Sequence, residues 1–270
     1  MTESATTTFT FDDAQLMELA NAHRGDFISA EPFPSVVIDD FLAPEVLDAV
    51  LREFPEPETA RWQEFDKPTE VKLALADTSQ MGPATRNLLA QFNGQGFICF
   101  LESLTGISGL IPDPHYGGGG LHQIRSGGFL KIHADFNRND RLHLDRRLNV
   151  LLYLNKDWDD SYGGHLELWD QKMQGPVQRL LPTFNRMVCF ATTSSAYHGH
   201  PEPLTCPADR ARRSMALYYY TNGRPENEMG ASHSTLFQQR PGEQFTPTWR
   251  QRLKRWVPPA LADLVRSLQR

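Results

Sequence analysis

Gly128-Phe129-Leu130-Lys131-Ile132-His133-Ala134-Asp135-Phe136-Asn137 is the stretch on which the reading of this chain turns. Phe129, Leu130 and Ile132 are apolar, and Gly127-Gly128 mark a turn just before them, so the segment reads as a β-strand. Side chains two apart on a strand point to the same face. His133 and Asp135 therefore project together, an imidazole nitrogen beside a carboxylate oxygen. That pair is two thirds of a 2-His-1-carboxylate ligand set, which grips a metal on one side and leaves coordination positions open on the other.

Working outward, short strand candidates follow at close spacing: Leu121–Ile124, Phe129–His133, Leu148–Leu154, His165–Leu168, Arg186–Phe190 and Ser214–Thr221. Turn residues separate them, among them Asn155-Lys156-Asp157 and Gly163-Gly164. Before Tyr116 the texture is helical. Helices are expected over Asp12–Ala22 and Ala43–Phe54, the second with Pro44 near its start, where a missing N–H costs little. A helical stretch from Pro83 to Thr105 is interrupted near Asn93-Gly94-Gln95-Gly96, with Phe97, Phe100, Leu101 and Leu104 at helical spacing. Strands are expected at Ser35–Phe41 and Val71–Leu75, with a Pro-rich charged loop over 55–70. The run Gly117 to Gly120 lacks the Gly-Lys-Ser/Thr and following helix of a phosphate-binding loop, so it reads as a β-connection.

Closely spaced antiparallel strands after a helix-rich start imply an α+β fold: a jelly roll, or double-stranded β-helix, with flanking N-terminal helices. The chain is expected to be one domain, 1–270, with a helix-rich support (1–115), a jelly-roll core (116–221), and a loop with C-terminal helices (222–270). Those last helices are split by Pro258-Pro259.

The net charge of −6 is unevenly spread: Trp249–Arg270 carries six Lys/Arg against one Asp, +5, which leaves −11 on the rest. This is not the broad basic field of a nucleic-acid binder. The tail reads as an amphipathic surface helix with Trp249, Leu253 and Trp256 inward. Cys99, Cys189 and Cys206 are odd in number and widely spaced, and Cys99 and Cys189 lie in apolar runs; buried free thiols of a reducing compartment are expected. The polar N-terminus is not a signal peptide, and no apolar run approaches the ~18 residues of a membrane span. A cytoplasmic protein, free of membrane and nucleic acid, is the expectation.

Completing the ligand set needs a histidine distant in sequence. His143, His165, His198, His200 and His233 are the candidates. His198 and His200 follow the strand Arg186–Phe190, and Arg212-Arg213-Ser214 then opens a β-run ending in Tyr218-Tyr219-Tyr220. A guanidinium there can bind a carboxylate through two hydrogen bonds. Alternation along the strand makes the three tyrosines core packing rather than a stacking strip. The order His-x-Asp, distant His, Arg-x-Ser resembles the Fe(II)/2-oxoglutarate-dependent dioxygenases, in particular their prolyl 4-hydroxylase-like branch. Leu152–Trp158 and Gly163-Gly164-His165-Leu166 add to the match, which covers residues 116–221.

The resemblance implies that His133, Asp135 and His198 ligate Fe(II), with His200 as the fallback for His198. Arg212 would hold the distal carboxylate of 2-oxoglutarate, helped by Ser214 on the same strand face and by the Tyr153 phenol; Gln123, where the branch often carries a tyrosine, is a further pocket candidate. Leu130 likewise replaces a branch tyrosine, so peptidyl-prolyl specificity does not carry over. His122 and Trp169 are weaker pocket candidates. The implied reaction hydroxylates a C–H bond of a prolyl or other residue, a free amino acid or a small molecule, consuming O₂ and 2-oxoglutarate and releasing succinate and CO₂, with ascorbate as an implied reductant. Related halogenases lack the carboxylate ligand, so Asp135 points to hydroxylation. A homodimer is the assembly expected. The competing readings are a nucleic-acid demethylase on the same scaffold, a non-catalytic jelly-roll binding protein, and a cupin-like Zn or Mn enzyme.

Overall fold

A computed structural model of the protein describes residues 9–228 and 230–246. Its elements are α1 (Asp13–Ser29), β1 (Ser35–Ile38), α2 (Pro44–Arg52), β2 (Gln63–Lys67), β3 (Glu70–Leu75), α3 (Pro83–Phe92), α4 (Gln95–Thr105), β4 (Ile111–Pro112), β5 (Gly120–Arg125), β6 (Phe129–Ala134), β7 (Arg138–Asn139), β8 (Leu144–Tyr153), β9 (Leu166–Trp169), β10 (Pro176–Leu180), β11 (Met187–Ala191), β12 (His198–His200), β13 (Ala211–Thr221) and β14 (Leu236–Phe237). The expected α+β fold is the observed one, with α1–α4 all before Tyr116, β1–β3 among them, and the remaining strands after α4. The helix from Pro83 breaks where the Asn-Gly pair interrupts it.

The strands join in one sheet in the order β1-β11-β8-β13-β5-β3-β6-β12-β9-β10, with β14, β2, β4 and β7 on its flanks. Neighbouring strands are antiparallel throughout this path. Four pairing steps separate β8 from β6, yet Asn149 on β8 hydrogen-bonds Asp135 at the end of β6. The sheet therefore curls back over itself, as a double-stranded β-helix does.

Alternation along the strands divides their side chains between two cores. Leu148, Val150 and Leu152 of β8 and Met215, Leu217 and Tyr219 of β13 pack under α1–α4 with Leu47, Phe92, Phe97 and Phe100. The intervening Tyr153 of β8 joins Leu166, Leu168, Val188 and Phe190 inside the curl. Asn149, Arg212, Ser214 and Tyr218 share that inner face and line its cavity. The helical layer thus covers one face of the sheet while the other carries chemistry.

Phe97 is the centre of the helical layer. It is 1% exposed, with ring centroids of Phe92, Phe11, Phe100 and Tyr219 at 4.7, 5.3, 5.3 and 6.0 Å. Phe97→Ala is expected to lower stability by about 3–5 kcal/mol, the cost of an aromatic-sized core void. A urea unfolding curve with unchanged slope and a lower midpoint reads this out.

The glycine run before β5 is needed at Gly120. Its φ is +85°, and a Cβ there would lie 2.3 Å from the Leu75 carbonyl oxygen. The chain crosses β3 at this point with no room for a side chain.

Four local expectations change. α1 runs past Ala22 to Ser29, because Phe27 continues the buried stripe of Leu16 and Ala20, and Asp12 caps its start by accepting from Ala14 and Gln15. The 55–70 loop contains β2, hairpin-paired with β3, and the polar 221–248 segment contains β14, paired with β6. Cys99 is exposed, since α4 turns Phe97, Phe100, Leu101 and Leu104 inward; Cys189 and Cys206 are buried and free. The expected C-terminal helices lie outside the described residues. Among the described residues no helix is long and apolar enough to cross a membrane.

Candidate active site

β6 and β12 lie side by side, with His133 directly opposite His198. Their Nε2 atoms stand 3.5 and 3.4 Å from the two oxygens of Asp135. Three ligand atoms from His133, Asp135 and His198 lie within 4.8 Å of one another, the one such group among the described residues. His200 is not in the cluster. It sits opposite Leu130, two residues along β12 but three along β6. Gly199 makes this offset possible, since a Cβ there would be 2.8 Å from the Leu130 carbonyl oxygen.

The tautomers are fixed by the backbone. His133 Nδ1 is 2.8 Å from the Lys131 carbonyl oxygen, and His198 Nδ1 is 3.0 Å from that of Ala196. Carbonyls only accept, so each Nδ1 carries a proton, and in the neutral ring this leaves the Nε2 lone pair turned toward Asp135. Burial pushes the His198 imidazole down to about 4, and the neighbouring His133 adds to this. Burial raises the Asp135 carboxyl, but the Arg146 guanidinium and the two imidazoles outweigh it and hold Asp135 well below the usual carboxylate range. Two imidazole Nε2 atoms and an ionised carboxylate thus converge on one point. This donor set fits a divalent cation, and a 2-His-1-carboxylate face with open positions is that of non-haem Fe(II).

Behind Asp135 stands a support that orients it. Asn149 Nδ2 donates to Oδ2 at 2.6 Å, and Arg146 Nη2 lies 3.1 Å from the same oxygen. Arg146 is fully buried, donates through Nε to Asn149 Oδ1 at 2.9 Å, and is sandwiched between the rings of Tyr218 and Phe136 at 3.5 and 4.5 Å. Partners that orient a ligand typically tune affinity by ~10–100-fold. Asn149→Ala is therefore expected to weaken metal binding by about that factor. Anaerobic titration with Fe(II) or Mn(II) measures it.

A cavity of about 70 Å³ adjoins the cluster, and Arg212, Ser214, Lys72, His122 and His200 share its lining. Arg212 is buried; its Nε donates to the Gly164 carbonyl at 2.8 Å and its Nη2 to the Tyr153 hydroxyl at 3.1 Å. No carboxylate among the described residues pairs with Arg212, which leaves its charge available to an anion. Burial raises the pKa of the Tyr153 phenol and Arg212 opposes this, so Tyr153 stays a neutral partner. Ser214 faces Tyr153 across β13 and β8. A second hollow, of about 360 Å³, opens on the other side of His133 and Asp135 between Phe65, Lys67, Glu70, Phe136, Tyr218 and Phe237. β14 closes one edge of it: Phe237 pairs with His133 in register, ring to ring at 5.5 Å. Glu243 then ties this segment to Lys131 at 2.7 Å.

Gln123 requires a correction. It does not line the cavity; its Oε1 accepts from Arg213 on the opposite face of the sheet, while its neighbours His122 and Ile124 point inward. Strand parity decides this, because Leu121 shares Gln123's side and packs under the helices. Trp169 is also elsewhere, donating to Glu167. His165 faces Asp160 near the surface, and His233 pairs with Ser194. Tyr219 and Tyr220 are core residues, whereas Tyr218 faces the site. Sequence reading missed Asn149, Arg146, Lys72 and Phe237. Parity with Tyr153 on β8 could have flagged Asn149. Nothing in the local sequence signals Phe237.

The comparisons with known proteins agree with this geometry. Residues 119–220 match the sequence model of the 2OG-Fe(II) oxygenase superfamily. No curated protein matches the chain. Among solved structures, a prolyl hydroxylase from Trichoplax adhaerens, in complex with a peptide fragment of the hypoxia inducible factor oxygen degradation domain, superposes with a TM-score of 0.59 at 18% identity, over 79% of this chain and 94% of that one. A prolyl-4-hydroxylase from Pseudomonas putida gives a TM-score of 0.52 at 19% identity, over 76% of this chain and 100% of that one. The core of the chain, residues 119–220, thus matches the 2OG-Fe(II) oxygenase superfamily, and the fold around it is shared with these prolyl hydroxylases.

Proposed function

We propose that His133, Asp135 and His198 hold Fe(II), and that Arg212, Tyr153 and Ser214 receive the distal carboxylate of 2-oxoglutarate. The observation that carries this reading is one cavity with a cation-ready donor set at one end and an anion-ready guanidinium at the other. Iron(II), when bound there, supplies activation of O₂ coupled to decarboxylation of 2-oxoglutarate, with succinate and CO₂ released and a C–H bond hydroxylated. The protein's own part is to bind and orient. The backbone carbonyls of Lys131 and Ala196 accept from both Nδ1 atoms, which orients the rings and leaves Nε2 as the nitrogen that meets the metal. Asn149 and Arg146 hold the carboxylate. Burial of His133 and His198, with Asp135 partly covered beside them, limits the access of bulk water to the reacting centre.

The substrate we propose is a prolyl or other residue of a peptide, a free amino acid or a small molecule of that size, seated in the 360 Å³ hollow beside His133. Its Phe65, Phe136, Tyr218 and Phe237 supply apolar walls, and Lys67, Glu70 and Lys72 supply charge at its rim. Nucleic acid is not part of this reading, given the net charge of −6. The reading extends to a cytoplasmic setting, a single functional unit over residues 1–270, a homodimer, and ascorbate as reductant.

The test is direct. Anaerobic protein with Fe(II) and 2-oxoglutarate should develop a weak visible charge-transfer band, and exposure to O₂ with pools of peptides, amino acids and metabolites should raise succinate release. If neither band nor succinate appears with any pool, the reading fails.

A further inference from the structure

His200 is 3% exposed, and neither of its ring nitrogens has a hydrogen-bond partner. A buried donor left unpaired costs about 1–3 kcal/mol, so such a group calls for an explanation. The other imidazoles of the same cavity are all satisfied: His133 by Lys131, His198 by Ala196 and His122 by Gly118. His200 is therefore the exception among the four.

Its surroundings indicate what completes it. Both flanking histidines of Gly199 face inward, but the register offset on β6 carries His200 away from Asp135 and toward Leu130. It shares the cavity with Arg212, Lys72 and Ser214. Lys72 is paired with Glu70 at 3.3 Å, while Arg212 has only the neutral partners Gly164 and Tyr153. The Asp135 carboxylate is the one acid of this lining and is already held by Asn149 and Arg146. The groups of this lining with bonds left to give thus include the Arg212 guanidinium, the Ser214 hydroxyl and the His200 imidazole, and of these His200 is the one whose polar atoms are all buried and unpartnered. An imidazole in either protonation state carries at least one N–H, and a carboxylate oxygen is the acceptor that satisfies it together with a guanidinium.

We infer that His200 donates a ring N–H to the distal carboxylate of 2-oxoglutarate, as a second anchor beside Arg212. This rests on the reading that the cavity binds 2-oxoglutarate. It makes His200 a determinant of selection for a dicarboxylic 2-oxo acid over a monocarboxylic one. A site built to hydrogen-bond a group disfavours analogues lacking it, because its own polar atoms are then left unpaired.

The test uses the full chain loaded with Zn(II), with calorimetric binding of 2-oxoglutarate and of 2-oxobutyrate, which lacks the distal carboxylate. His200→Leu should lower 2-oxoglutarate affinity by about 10–100-fold, the loss of one hydrogen bond to a charged group. It should leave 2-oxobutyrate and Zn(II) affinities within about twofold, inside the ordinary spread of a neutral change. His200→Gln, which keeps an N–H donor, should recover most of the loss. Equal losses for both acids, a fall in Zn(II) affinity, or no change at all would each overturn the inference. If His200→Leu does not fold, the ring ¹⁵N resonances of His200 in the wild type, assigned by their absence in His200→Gln, decide the matter. They should shift on adding 2-oxoglutarate and not 2-oxobutyrate; the same response to both, or none, overturns it. Wild type that binds no 2-oxoglutarate would instead remove the underlying reading.

Discussion

His133→Ala is expected to fold, to release no succinate above background and to show no visible band with Fe(II) and 2-oxoglutarate. Groups that merely orient a ligand are worth ~10–100-fold in affinity, and removing a ligand outright costs more. The alanine is the cleaner choice over one at Asp135 for an electrostatic reason. His133 has its Nδ1 on a backbone carbonyl, and Asp135 keeps its Arg146 and Asn149 partners when the ring is deleted. Asp135→Ala leaves the fully buried Arg146 without its anion. Breaking a buried pair in that way costs about 3–5 kcal/mol, and lost activity then reports lost stability as well. Thermal unfolding alongside succinate assays separates the two: His133→Ala should keep its transition, and Asp135→Ala should melt lower. Succinate release by His133→Ala at the wild-type rate would remove the ligand assignment.

Arg212→Met should raise the concentration of 2-oxoglutarate needed for half-maximal rate far more than it lowers the maximal rate. Truncating one side of a buried, hydrogen-bonded charge pair costs about 2–5 kcal/mol, or roughly 30-fold to several thousand-fold. Arg212→Lys should not restore it. The guanidinium reaches the Gly164 carbonyl and the Tyr153 hydroxyl at once and lies 4.9 Å over the Tyr153 ring. A single ammonium cannot reproduce that planar fork. Direct 2-oxoglutarate binding to the metal-loaded variants distinguishes a binding defect from a packing defect, because the latter would also lower the unfolding midpoint without ligand. An unchanged dependence on 2-oxoglutarate would show that the anion is held elsewhere.

These expectations come from residues of unequal visibility in the sequence. His133 and Asp135 were legible because a short apolar strand dictates that i and i+2 share a face, and β6 has that form. His198 was nameable only by family order. Its place opposite His133 is a register, set by how β12 enters between β6 and β9, and no local residue type encodes a register. Gln123 went wrong for want of the same information: one step of parity on β5 moves a side chain from the cavity to the helical side. The helical layer was legible from spacing, except that α1 extends farther than its first apolar stripe. Phe237 and Glu243 were invisible, since a two-residue strand in a polar segment carries no periodicity. Arg146 and Asn149 were hidden because a charged and an amide side chain inside a strand read as surface until a curled sheet encloses them.

The Arg146 sandwich has a further reach. One guanidinium rests on the faces of Tyr218 and Phe136 while pointing its Nη2 at the Asp135 carboxylate. Both rings also wall the hollow in which the substrate is proposed to sit. The entrance and the proposed anionic ligand, Asp135, are therefore wired through a single cation. Reshaping that entrance, whether by substitution at Tyr218 or by the arrival of a bulky guest, also retunes the electric field felt at Asp135, so altered guest preference and altered redox behaviour should travel together in variants of this protein.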